Sequence, residues 1–415
     1  MNIINYNQNL SNLIQFPVGQ GGLHLGVIRY YERYYERYYE RCYARYCEKD
    51  CEKYFVYLYD CGSLNDSNIN SIKDFEFFKT NLNCDISHFY IFISHLHRDH
   101  FNLLKSILEL LEHKKIKNIV IVMPYLEDIE KIILYAKDGN DPDFYFKIEE
   151  NINIKFPNIK FQHVTDDESL VKESQEDFAL TESLKFPKGK VFLHHETFNI
   201  QVSHFRWVLK TFTKKIEHKT LLKFKKELIQ QYKNNKKTED SSNNENILKI
   251  IKDNPEDNLS ILKKAYKKIF KYINNTSLCL YSGPDPDLAI TSLTKIGWMN
   301  TGDINLKIKK NIDEFKNHYS EFLNFVEIFQ IPHHGSSKNS DGKLFKLLYK
   351  SNVNMQFYTT CQKKPKRKQP NPKKNKYIKK YINKNIMLTE DSNVHILDKS
   401  NKYPSISFTI SRKVS

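Results

Sequence analysis

Ser87-His-Phe-Tyr-Ile-Phe-Ile-Ser-His-Leu-His-Arg-Asp-His-Phe-Asn102 is the stretch on which the reading of this chain turns. Its first half, Phe89 to Ile93, is an unbroken aromatic and β-branched run, the pattern of a buried strand. The second half holds His95, His97, Asp99 and His100, four potential metal ligands within six residues. Side chains alternate along an extended chain, so His95 and His97 leave the strand end on one side. The turn beyond can bring Asp99 and His100 round to face them. Three imidazoles and a carboxylate this close suit a borderline-soft divalent ion such as Zn²⁺. The competing reading is a polar loop with a chance cluster, which histidine usage of 15 in 415 residues makes rare.

Around this stretch the chain is basic: 65 Lys and Arg against 49 Asp and Glu, a formal net charge of +16. That balance favours a polyanionic partner, although a Lys-rich coding bias gives the same number. Hydrophobic residues at 40% and aromatics at 13% are globular proportions, and the length suffices for one elaborated domain or two. No apolar run approaches the ~18 residues of a membrane span. Met1 to Gln15 lacks the basic start and apolar stretch of a secretion signal. Seven cysteines form no disulfide framework, and Cys42, Cys47, Cys51 and Cys84 include no Cys-x-x-Cys pair. A reduced, cytoplasmic protein is expected.

In chain order, Phe16-Pro-Val-Gly-Gln-Gly-Gly22 predicts a tight glycine turn between two strands. Residues 29–41 repeat Arg-Tyr-Tyr-Glu. Period four fits a helix with Arg–Glu neighbours or a strand with the two charges on opposite faces, and 29–53 is taken as an insertion lengthening a hairpin. Tyr54 to Tyr59 predicts a strand ending in Asp60-Cys-Gly. Helical spacing at 103–117 and 126–137 alternates with a strand at 119–124, which suits a layered α/β fold. Residues 206–273 are Lys-rich and are expected as an inserted helical hairpin around the polar linker 234–246. Strands are expected at 274–282 and from Ile296 to Asp303, then a helix at 311–326 before Ile331-Pro-His-His-Gly-Ser-Ser337. The span 361–385 is a basic loop, and 386–410 predicts two closing strands.

His-x-His-x-Asp-His after a strand resembles the signature of the metallo-β-lactamase fold family. Val18-Gly-Gln-Gly, Asp60-Cys-Gly, Asn274-to-Leu280, Gly302-Asp303 and His333-His-Gly-Ser, in that order, are similar to the subgroup of the ComEC DNA-uptake hydrolase domain. Gly22 departs from it, standing where an acidic residue is usual. The resemblance spans nearly the whole chain and implies a single four-layer αβ/βα sandwich with the helical insertion, its site along one sheet edge. It also implies two divalent ions, Zn²⁺ or Mn²⁺. His95 and His97 would hold one, Asp99 and His100 the other; Asp303 would bridge them, and His333 or His334 would complete the second site. Asp60 would support the cluster by orienting a ligand. Asp99 or Asp303 would take a proton from water, and whichever of His333 and His334 is not a ligand would donate a proton or contact a phosphate. The wider family places one more histidine before the bridging aspartate, for which His204 is the candidate.

The implied activity is phosphodiester hydrolysis, with DNA as the substrate expected first, in a multi-component defence or uptake system with protein partners. Lys363, Lys364, Lys366, Arg367, Lys368, Lys373 and Lys374 would neutralise phosphates, or form only a solvated loop. Two other readings stay open: a phosphodiesterase acting on a small nucleotide, and a DNA-binding or partner-gated subunit whose hydrolase site is idle. With no export signal, β-lactam hydrolysis is not expected.

Overall fold

The computed structural model describes residues 8–15, 21–38, 45–63, 86–139, 141–171, 180–181, 184–187, 189–202, 205–236, 244–270, 276–288, 297–352, 355–360, 376–377, 387–388, 393–394, 396–397 and 406–412. Two mixed sheets with helices make an α/β architecture. In the first sheet β1 (Gln8–Gln15), β2 (Gly21–Tyr38) and β3 (Arg45–Ser63) run antiparallel. From β3 onward, β4 (Ile86–Phe92), β5 (Ile119–Pro124) and β6 (Lys160–Thr165) run parallel. In the second sheet Gly297–Asn300, Val326–Gln330 and Gln356–Thr360 are parallel neighbours. Cys279–Pro284, Phe205–Phe212 and Thr197–Val202 continue it antiparallel.

Period-two alternation builds three cores from these sheets. In β4, Phe89 and Ile91, followed by Ile93, pack with helices on one face, whereas Tyr90 and Phe92 point between the sheets. There both rings meet Phe198 of the second sheet with centroids 5.4 Å apart. Trp207 and Leu209 face the same interior, and their neighbour Val208 faces a third core with Phe315, Phe345 and Leu348 of the outer helices. The layers therefore run helices, sheet, sheet, helices. Leu104, Ile107, Leu108 and Leu111 of the helix Leu104–His113 line its buried face at i, i+3, i+4 and i+7. Truncating Leu108 to Ala would cost about 2–5 kcal/mol.

The Lys-rich span corrects one expectation. Residues 206–212 belong to a strand, because Trp207 and Leu209 alternate against Val208 and Phe212. Its cation does not forbid this: Lys210 carries its ammonium 4.7 Å over the Phe322 ring while the stem covers apolar surface. Among the described residues three helices follow instead of a hairpin of two: His218–Lys236, Asn244–Asp253 and Leu259–Ile269. Phe224, Leu228, Ile251 and Leu262 join the outer core of the first sheet, so this segment is part of a layer. Over residues 29–38 the Arg-Tyr-Tyr-Glu repeat takes the strand alternative, β2 pairing with β3 from Arg29↔Tyr54 to Tyr38↔Arg45. Cys42 and Cys84 lie outside the described residues. Among those described, no helix is long and apolar enough to cross a membrane.

Candidate metal centre

Parallel strands deliver the candidate ligands at their carboxyl ends, where open α/β sheets place ligand sites. Asp60 lies near the end of β3, and His95 follows β4. Thr301-Gly-Asp303 follows Gly297–Asn300, and His333-His334 follows Val326–Gln330. The two sheets join here: the Leu278 N–H donates to the Ser94 carbonyl at 2.7 Å. Gln330 Oε1 accepts from the N–H groups of Thr301 and Gly302 at 2.8 and 3.1 Å, fixing the turn that presents Asp303. Gly302 sits at φ +52°, and a Cβ there would lie 2.4 Å from Ser277 Oγ, so a side chain is excluded. Gly62 is equally tight, its Cβ position 2.3 Å from the Asp99 carbonyl.

Two groups of three side chains result, each with ligand atoms within 4.8 Å of one another: His95, His97, Asp303 and Asp99, His100, His334. Asp303 also faces the second group. Its Oδ2 is 3.6 Å from His95 Nε2 and 3.4 Å from His333 Nε2, while its Oδ1 is 3.5 Å from His100 Nε2 and 3.7 Å from His334 Nε2. His334 Nε2 lies 3.5 Å from Asp99 Oδ2. His333 and His334 both hold positive φ, 50° and 52°, a conformation that costs roughly 1–2 kcal/mol per residue. That strain turns two consecutive rings toward one carboxylate.

Supporting contacts fix which ring nitrogens face inward. Asp60 Oδ2 accepts from His100 Nδ1 at 2.8 Å, and Asp60 also accepts from Ser94 N–H and Oγ at 2.7 and 2.9 Å. His100 Nε2 is left buried without a hydrogen bond, aimed at Asp99 and Asp303. His95 Nδ1 is held by Ser94 Oγ at 2.9 Å, which leaves Nε2 toward His97 Nδ1, 2.7 Å away. Asn339 joins His333 Nδ1, at 2.8 Å from its Oδ1, to the Asp303 carbonyl, which accepts from its Nδ2 at 2.9 Å. Lys137 Nζ is 2.7 Å from His97 Nε2. Ser94, Ser277, Asn339 and Lys137 are not singled out by sequence. Ser94 and Ser277 stand inside motifs already quoted, but a serine beside a histidine carries no spacing signal. Lys137 reads only as a cation in the last turn of an amphipathic helix.

The buried charges of the site act strongly on one another. Burial would raise the Asp303 carboxyl, but His333, His334 and His100 hold it well below the ordinary range. Burial likewise opposes ionisation of Asp99, and His100 with His334 overcomes it. Burial would also depress His100, yet Asp60, Asp99 and Asp303 raise it well above its usual value. Burial first, then neighbouring cations, pushes His95 and His97 down. Nitrogen and carboxylate donors with one buried nitrogen left without a hydrogen bond fit a borderline-soft metal ion.

The expected residues Asp60, His95, His97, Asp99, His100, Asp303, His333 and His334 thus converge. His204 and the run Lys363, Lys364, Lys366, Arg367, Lys368, Lys373 and Lys374 lie outside the described residues. No protein-family model matches this chain, and no curated protein or solved structure matches it either.

Proposed function

We propose that the chain is a metallo-β-lactamase-fold hydrolase of phosphodiester bonds, related to the ComEC-like subgroup, with a centre for two divalent cations and nucleic acid, DNA first, as substrate. The observation that carries this reading is Asp303, whose two carboxylate oxygens face the two ligand groups separately. One group is His95 and His97, the other Asp99, His100 and His334. When bound, such a pair of cations lowers the pKa of water toward neutrality and offsets charge on phosphoryl oxygens. The protein's share is positional. Asp60 and Ser94 orient His100 and His95. Asp99 and Asp303, both held ionised, can take up a proton. His333, partly exposed beside them, is the group placed to give one to a departing alkoxide.

The test is incubation of single- and double-stranded DNA with protein reconstituted in Mn²⁺ or Zn²⁺, with metal content measured alongside. Asp303→Asn and Asp99→Ala are expected to lower cleavage by at least about 10². Cleavage insensitive to both substitutions and to chelator would overturn the proposal.

A further inference from the structure

Around His95 and His97 the hydrogen bonds run in one direction and end on a cation of the protein's own. Ser94 gives its single hydroxyl hydrogen to Asp60 Oδ2, so its oxygen accepts from His95 Nδ1 at 2.9 Å. His95 is held neutral by burial first, then by His100 and His97, and Nε2 is therefore its bare nitrogen. His97 Nδ1, 2.7 Å away, supplies the hydrogen between the two rings. Burial first, then Lys137, holds His97 neutral as well, which leaves its Nε2 bare. That lone pair accepts from the Lys137 ammonium at 2.7 Å.

Lys137 stands in the last turn of the helix Asp128–Asp138. A cation there complements the last carbonyls of a helix, and that alone would explain a lysine. This one also reaches the candidate centre, and the tautomer it stabilises is the wrong one for metal binding. His95 and His97 face each other through Nε2 and Nδ1. For the two rings to share a cation both nitrogens must be bare, so the ring proton of His97 must sit on Nε2. No proton is gained or lost in that exchange. It turns Nε2 from acceptor to donor, and the ammonium meets an N–H where it had a lone pair. Repulsion between the ammonium and a divalent ion acts in the same sense. The ammonium is already within electrostatic reach of His333, whose side chain is 26% exposed: burial is the main cause that lowers this ring, and the Lys137 charge adds to it.

We infer that Lys137 exchanges His97 for the substrate once the centre is loaded, holding a non-bridging oxygen of the scissile phosphate with its ammonium. The inference rests on the hydrolase reading and adds to it a residue that binds the reacting group. Lys137→Met keeps an apolar stem and removes the charge, whereas Lys137→Arg keeps the charge. Competition of Zn²⁺ against a chromophoric chelator should show one of two binding events tightened about tenfold in Lys137→Met, because the competing ammonium is gone. Calorimetry of inorganic phosphate with Mn²⁺-loaded protein should show the Kd raised about tenfold in Lys137→Met and largely restored in Lys137→Arg. Circular dichroism checks the fold of both variants. A phosphate Kd in Lys137→Met equal to wild type would overturn the inference. So would cation binding that is unchanged or weakened, since Lys137 would then serve only to hold His97. Wild-type protein that takes up no cation would remove the inference together with the hydrolase reading. Both shifts in a protein that never cleaves DNA would sink the hydrolase reading alone.

Discussion

Asp60 accepts the Nδ1 hydrogen of His100 at 2.8 Å, and this contact decides that Nε2 is the nitrogen His100 presents to Asp99 and Asp303. Asp60→Asn keeps the size of the side chain and removes its charge. Loss of such an orienting carboxylate typically weakens metal binding 10–100-fold. Competition against a chromophoric chelator should register that loss in one of two binding events, with an unchanged circular dichroism spectrum. Wild-type affinity for both events would show that Asp60 serves the fold alone.

Adjacent histidines sit differently at the candidate centre. His334 groups with Asp99 and His100, whereas His333 is 26% exposed and tied through Nδ1 to Asn339. His334→Ala is therefore expected to bind one metal equivalent where wild type binds two. His333→Ala should keep both and lose activity by about 10²–10⁴, the range for a missing proton donor. Inductively coupled plasma mass spectrometry of the two variants separates them, and the opposite pattern of metal contents would exchange the roles.

His24 supplies a pH dependence from outside the candidate ligand set. It is fully buried, its ring 4.4 Å from the Trp298 ring and its Nε2 3.2 Å from the Tyr57 hydroxyl, and burial pushes it down from 6.5 to about 3. The folded state thus binds fewer protons than the unfolded one between these values, so stability is intact above pH 6.5 and falls as pH drops toward 3. Between about pH 7 and pH 5 this amounts to about 2 kcal/mol. Urea unfolding in chelator should show His24→Leu losing that much less than wild type over the same interval. Equal losses would place the acid sensitivity elsewhere.

Much of the fold was legible because buried strands write themselves as continuous apolar runs. Phe89 to Ile93 packs on both faces, as its composition requires. Phe205–Phe212 was not legible: Arg206 and Lys210 interrupt its alternation, and their long stems conceal that the backbone is central to a sheet. The repeat at residues 29–41 has a period shared by helix and strand, and pairing with β3 determines its form over residues 29–38. At the candidate centre, the residues that converge were legible as dense clusters of histidine and aspartate. Their partners were not, because Asn339 and Lys137 reach the centre through tertiary contacts that no local spacing encodes.

The most direct measurement is anomalous diffraction from a crystal grown with excess Zn²⁺ or Mn²⁺. The account predicts two peaks, one against His95 and His97 and one against Asp99, His100 and His334, with Asp303 touching both. A single peak, or none within coordination distance of Asp303, would contradict it.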